Sequence, residues 1–235
     1  MHTQDVMKVI RHRPKGKKSL DDFDLTPEAL ALIIGTAHAE RARLGPLFPA
    51  NARGLTFYFH VINGLREHLL RRQSGWKVST DHGLEFVEHE QKNVRLGYVL
   101  GDAGTGSADD EPRSMRRRGA ASLHVAAQNM QMLLTFPEEY LSGRKPTPND
   151  AETWFLVVNR GVRAYQLEIA LPVSVEDRFF VGWSQRILIG ELPLDTEPKF
   201  DDGTPPLPPP PKPIARRRKK GDAATDKKAV AGNDT

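Results

Sequence analysis

The chain has 235 residues, 38% of them hydrophobic, with 34 Lys/Arg against 30 Asp/Glu and a net charge of +4. It has no cysteine, which excludes disulfides and cysteine-ligated metal sites. Residues 1–20 carry six basic and one acidic side chain (net +5), residues 194–235 nine and seven (net +2), and the stretch between is left at net −3. This layout predicts a flexible basic arm over 1–20, a single folded domain over 21–193, and a disordered tail over 194–235. About 170 residues in the middle are enough for one real core.

In chain order, Val9-Ile10 is followed at once by Arg11-His12-Arg13-Pro14-Lys15, so no signal peptide is expected. No run approaches the roughly 18 apolar residues of a membrane span. A cytoplasmic protein with no membrane contact is the expectation. Thr26-Pro27-Glu28 reads as a helix start: Thr26 caps, Pro27 suits the first turn, and Glu28 favours the positive end of the dipole. Leu30, Ile33, Ile34, Ala37 and Ala42 give that helix its apolar stripe, and Gly45-Pro46 stops it. A second helix follows, with Leu55, Tyr58, Phe59, Ile62, Leu65 and Leu69 at helical spacing, and it ends at Gly75.

Short strands are expected at 76–80, 84–89 and 94–100, with turns at Asp81-His82-Gly83 and Gln91-Lys92-Asn93. Leu84 and Phe86 against Glu85 and Glu88 predict a sheet with one wet face. After the polar loop 101–119, a third helix is expected over 120–134, with Leu123, Ala126, Ala127, Met130 and Leu134 inward. A loop at 141–150 leads to a hairpin, 154–159 and 164–171, around Arg160-Gly161, and to a last strand over 179–189. The fold class is therefore α+β: about three helices packed on a mainly antiparallel sheet of five to six strands.

Two regions carry candidate chemistry. The first is the tail, where Thr204–Pro213 is a polyproline-like spacer leading into Arg216, Arg217, Arg218, Lys219 and Lys220. Five tethered positive charges can neutralise phosphates and release counterions without reading sequence. The Arg11–Lys18 cluster can do the same from the other end. The proline run could also serve as a ligand for a protein partner's aromatic groove. The second region is the 101–119 loop. Gly101, Gly104 and Gly106 permit backbone N–H groups to face an anion, Thr105 adds a hydroxyl, and Arg113, Arg116, Arg117 and Arg118 add charge. It matches neither a Walker A motif nor Gly-x-Gly-x-x-Gly. Asp109-Asp110-Glu111 would oppose an anion there.

A metal-dependent nuclease would need converging carboxylates and Mg²⁺. Asp102 and Glu168 are the catalytic candidates, with Glu67, Asp81 and Glu85 as further carboxylates. Their order, helix then strands, is loosely that of the restriction-endonuclease-like fold. The acid-x-Lys of that fold is missing, since Ile169 and Ala170 follow Glu168, so no family membership is taken from it. The histidines have no zinc spacing with a third ligand, and Trp76, Trp154 and Trp183 read as packing residues. The expected function is a nucleic-acid-associated protein that holds DNA or RNA mainly through phosphates, without strong sequence preference and with no cofactor. The alternatives are a Mg²⁺-dependent nuclease or other phosphate-ester hydrolase, and a protein-interaction module built on the Pro-rich tail.

Overall fold

The computed structural model describes residues 18–135 and 151–193. The Arg11–Lys17 part of the basic arm, the loop expected at 141–150 and the whole Pro-rich basic tail lie outside the described residues. A 3₁₀ turn, Leu20–Phe23, precedes α1 (Pro27–Ala42) and α2 (Ala52–Arg71). Then come β1 (Trp76–Asp81), β2 (Leu84–His89), β3 (Val94–Leu100), α3 (Ala120–Thr135), β4 (Glu152–Arg160), β5 (Ala164–Glu176) and β6 (Phe179–Pro193). The fold is α+β, and the six strands form one sheet in sequence order. Every neighbouring pair is antiparallel except β3 and β4, which run parallel because α3 lies between them.

The local signals act where the sequence put them. Thr26 Oγ1 accepts a 3.2 Å hydrogen bond from the Ala29 amide, with Pro27 in the first turn of α1. His82 and Gly83, both at positive φ, form the two-residue turn between β1 and β2. Gly64 brings α2 close to α1: a Cβ there would sit 2.9 Å from Ile33 Cγ2.

Two apolar clusters flank the sheet. One joins α1 and α2 to Val87, Leu96, Tyr98, Trp154, Leu156 and Ile169. The other joins Val125 and Ala126 of α3 to Phe86, Phe155, Val157 and Phe180. The expected wet face of β2 is therefore covered: Phe86 to His89 are all buried, and buried Glu88 is matched by Arg95 at 3.2 Å. The apolar run Trp154–Val158 is likewise fully buried at the centre of the sheet. All three tryptophans are buried.

The helix faces differ from expectation in a consistent way. On α2 the buried row is Phe57, Val61, Leu65 and Leu69 with Ile62, while Leu55 and Phe59 are exposed. Residues 55–62 are apolar on more than one side, so the face is chosen by the unbroken i, i+4 row that reaches Leu69. On α3, Ala127 is exposed and Leu123 and Met130 are half-buried. Polar Ser122 and Asn129 face inward instead. Leu134's side chain lies outside the described part.

Asn129 has a reason to be inside. The β4–β5 ladder closes at Phe155 opposite Ala170, and beyond it Pro172 has no N–H to give. Asn129 Nδ2 donates to the carbonyls of Thr153 and Pro172, both at 2.9 Å, and its Oδ1 accepts from the Thr153 amide at 3.0 Å. One side chain thus pins α3 to two strands. Asn129→Ala is expected to cost about 3 kcal/mol, because buried backbone groups are left unpaired. Denaturant unfolding followed by circular dichroism measures this, and an unchanged midpoint would contradict the assignment.

Candidate functional site

The 101–119 loop leaves the carboxyl end of β3, beside its parallel partner β4. Crevices at such strand ends are common ligand sites in open sheets. The loop does not act as one unit. Its first half is bound inward by a buried pair. Glu168 on β5 is fully buried, and Arg186 on β6 meets it at 2.5 Å and 3.2 Å. The same guanidinium donates to the carbonyls of Ser107 (2.9 Å), Asp110 (2.8 Å) and Gly104 (3.3 Å). Glu168 also accepts from the Gly106 amide at 2.9 Å, where φ is +75°.

Asp102 is used in a similar way. Its Oδ1 accepts from the amides of Gly104 and Arg113, at 3.1 Å and 3.0 Å. Thr105 is buried, and its Oγ1 sits where a Gly101 side chain would begin. So Asp102 and Glu168 anchor the loop, while Thr105 fills the space beside Gly101 with its hydroxyl unpaired among the described residues.

The second half is laid across the end of the sheet. Met115 donates to the Leu100 carbonyl at 2.9 Å, and Ser114 and Phe180 exchange hydrogen bonds of 3.0 Å. The Arg118 amide donates to Arg178 O at 2.6 Å. Arg113 stacks on Phe179 at 4.4 Å and remains exposed, as does Arg117. Arg118 lies half-buried over Phe180 at 5.6 Å. Arg116 Nη2 comes 4.0 Å from where a Gly54 side chain would begin, and so reaches α2.

Here the arginines meet a cluster that the sequence did not single out. Tyr58 and Arg66 of α2, Glu85 of β2 and Tyr98 of β3 lie within electrostatic reach of Arg118, or of each other. Tyr58 and Tyr98 rings are 5.8 Å apart. Arg66 pairs with Glu85, and that bond, with the Thr80 hydroxyl, holds the Glu85 carboxyl below its ordinary range. Tyr98 is 6% exposed, and its hydroxyl has no partner among the described residues. Arg118 Nε is equally sealed and unpaired. Burial pushes the Tyr98 phenol well above its ordinary value, and burial lowers Arg118. Tyr58 is raised by burial and by Glu85, against the opposing pull of Arg66 and Arg118. Among the described residues, no carboxylate pairs with Arg116 or Arg118. The cluster therefore offers donors and a surplus of positive charge.

The other carboxylates do not converge. Glu67 pairs with Arg71, Asp81 with His82 and Arg95, Glu85 with Arg66, and Glu168 with Arg186. Glu168 and Glu85 lie on opposite faces of the sheet, since their neighbours Val157 and Val87 belong to the two different clusters. No group of three metal-ligating side chains occurs among the described residues. No helix among them is long and apolar enough to cross a membrane. Lys18, at the end of the basic arm, is held to the domain, 3.7 Å from Glu152. Arg216 to Lys220 lie outside the described residues. Comparison of the chain with protein-family models, with characterised proteins and with solved structures finds no match in any of the three.

Two expectations separate the halves of this loop. Arg186→Ala leaves Glu168 buried and unpaired and is expected to cost about 3–5 kcal/mol. Faster amide exchange at 104–110 in that variant would locate the loss. Tyr98→Phe, in contrast, removes an orphaned hydroxyl and is expected to raise stability by about 1 kcal/mol. Because the folded Tyr98 holds its proton above the free value of about 10, its contribution is present below that pH and is lost as pH rises past it. The variant's unfolding free energy should fall less steeply above pH 10 than that of the wild type.

Proposed function

We propose that this chain binds nucleic acid through its phosphates, with the Tyr58–Arg66–Tyr98–Arg116–Arg118 cluster as the contact in the domain and the basic arms as auxiliary tethers. One observation carries the reading. A buried tyrosine hydroxyl and an arginine Nε, both without acceptors, sit together at the open end of a parallel strand pair. Buried donors left unpaired cost stability and are retained where something supplies the acceptor. Both atoms are sealed in the unbound domain, so a phosphate oxygen would accept from them only as the Arg116–Arg118 stretch opens to admit it, with Arg118 and Arg116 offsetting its charge.

The arms suit the same partner. Arg11 to Lys18 and Arg216 to Lys220 are blocks of positive charge on polar, proline-containing chain. They raise encounter rates and nonspecific affinity and carry no base readout. The expected ligand is DNA or RNA without strong sequence preference. Nuclease chemistry has less support, because Asp102 and Glu168 are each engaged in holding the loop.

Fluorescence anisotropy with a labelled oligonucleotide across a salt series tests the proposal. Affinity should fall steeply with salt, and Arg118→Ala and Arg116→Ala should each reduce the slope of log K against log salt by about one. Removing residues 1–17 and 204–235 should weaken binding and leave the effect of Arg118→Ala intact. Absence of binding at low salt would refute the proposal. Loss of all binding with the arms would assign it to the arms alone.

A further inference from the structure

The arginine cluster is continuous with aromatic surface that nothing among the described residues covers. Phe59 is 60% exposed and Leu55 47%, one turn apart on the same flank of α2. The Phe59 ring stands edge-on to Tyr58 at 5.7 Å, and Tyr58 in turn contacts Tyr98. Along α2 the Leu55–Phe59 strip has Arg116 near its first turn, at Gly54, and Arg66, paired with Glu85, two turns beyond Phe59.

Isolated exposed apolar side chains are ordinary. An exposed phenylalanine near two uncompensated arginines, beside a buried donor pair, is a different arrangement. Positive charge tracks a phosphate backbone, and a free aromatic face takes an unstacked base. A duplex can satisfy the arginines but offers no base face to Phe59, because its bases are already stacked on one another.

We infer that the nucleic acid taken by this surface is single-stranded, with a base stacked on Phe59 and flanking phosphates held by Arg116 and Arg118. This rests on the phosphate-binding reading above and specifies its ligand. DNA and RNA share the chemistry, since neither the stack nor the phosphate contacts involve the 2′ position. A protein partner on the same apolar flank is the competing occupant, and the uncompensated charge of Arg116 and Arg118 beside it argues against it.

The test measures anisotropy of the full chain with oligothymidylate and oligouridylate of about 15 nucleotides, and with a duplex of equal length, at one salt concentration. The expected result is single-strand binding at least tenfold tighter than duplex binding. Phe59→Ala should weaken the single strands by about tenfold or more and leave duplex affinity and the salt slope unchanged. A difference between the two single strands would assign the source to DNA or to RNA, base methyl and sugar taken together. Phe59 is exposed, so the variant is expected to keep the wild-type circular dichroism spectrum. Equal affinity for single strand and duplex with no effect of Phe59→Ala would overturn the inference. If Arg116→Ala and Arg118→Ala still weaken binding in that case, the phosphate reading stands; if they do not, both fail. Equal weakening of single strand and duplex by Phe59→Ala would also overturn it. So would self-association that Phe59→Ala abolishes without changing oligonucleotide affinity.

Discussion

The Glu168–Arg186 pair is the constraint on which the candidate surface depends. Burying a carboxylate is costly unless charge and hydrogen bonds compensate it fully. Here the compensation comes partly from Arg186 and partly from the Gly106 amide. The arginine's remaining donors are in turn filled by the carbonyls of Gly104, Ser107 and Asp110. A guanidinium has five fixed donors, so it can organise several turns of loop at once. The first half of the loop is thereby folded onto the α3 face of the sheet. The second half has only the span from Asp110 to Gly119 in which to reach the start of α3. It crosses the end of β3 and delivers Arg116 and Arg118 beside α2.

That arrangement explains why stability and site chemistry pull in different directions within one segment. Ser114, Met115 and the Asp102 carboxylate satisfy backbone groups. Tyr98 and Arg118 do the opposite, keeping polar atoms buried and unpaired. A phenylalanine at 98 would fit the same aromatic surroundings of Phe57 and Tyr58. A hydroxyl there is a local violation of polar satisfaction, shared among the described residues by Arg118 Nε, Arg66 Nε and Thr105 Oγ1. Such violations are expected where a ligand completes the network.

Much of the fold was legible from local chemistry, and the exceptions share a cause. Thr26-Pro27, His82-Gly83 and Arg160-Gly161 each mark a boundary through the conformation of one or two residues, so they could be read directly. The buried face of α2 could not, because apolar residues from Leu55 to Ile62 fit more than one stripe, and only packing against β3 and β5 selects Phe57 and Val61. Burial of Asn129 required knowing that Pro172 would stand opposite Thr153. At the candidate site, Arg116 and Arg118 were visible as a charge cluster. Their partners Tyr58, Arg66 and Tyr98 come from two other elements, and nothing in their spacing joins them. Glu168 was noticed as a carboxylate, but its partner Arg186 lies across a bulged hairpin, which hid its anchoring role.

Net charge is a poor guide to what this domain can hold. Residues 21–193 are acidic in sum, and Asp109-Asp110-Glu111 stands only a few residues from the arginines. In physiological salt, however, charges more than about 8 Å apart are largely screened, so immediate neighbours decide. Besides the neighbouring tyrosines, the ionised groups acting on Tyr58, Tyr98 and Arg118 are Arg66, Glu85, Arg116 and, for the two phenols, Arg118. Glu85 is already bound to Arg66, which leaves two positive charges uncompensated in that cluster. The acidic triplet belongs to the half of the loop turned toward Arg186, where the Asp110 carbonyl is fixed. The same buried pair that folds the loop therefore also sorts its charges. A segment that is nearly neutral in sequence becomes, at the end of β3, a locally positive surface.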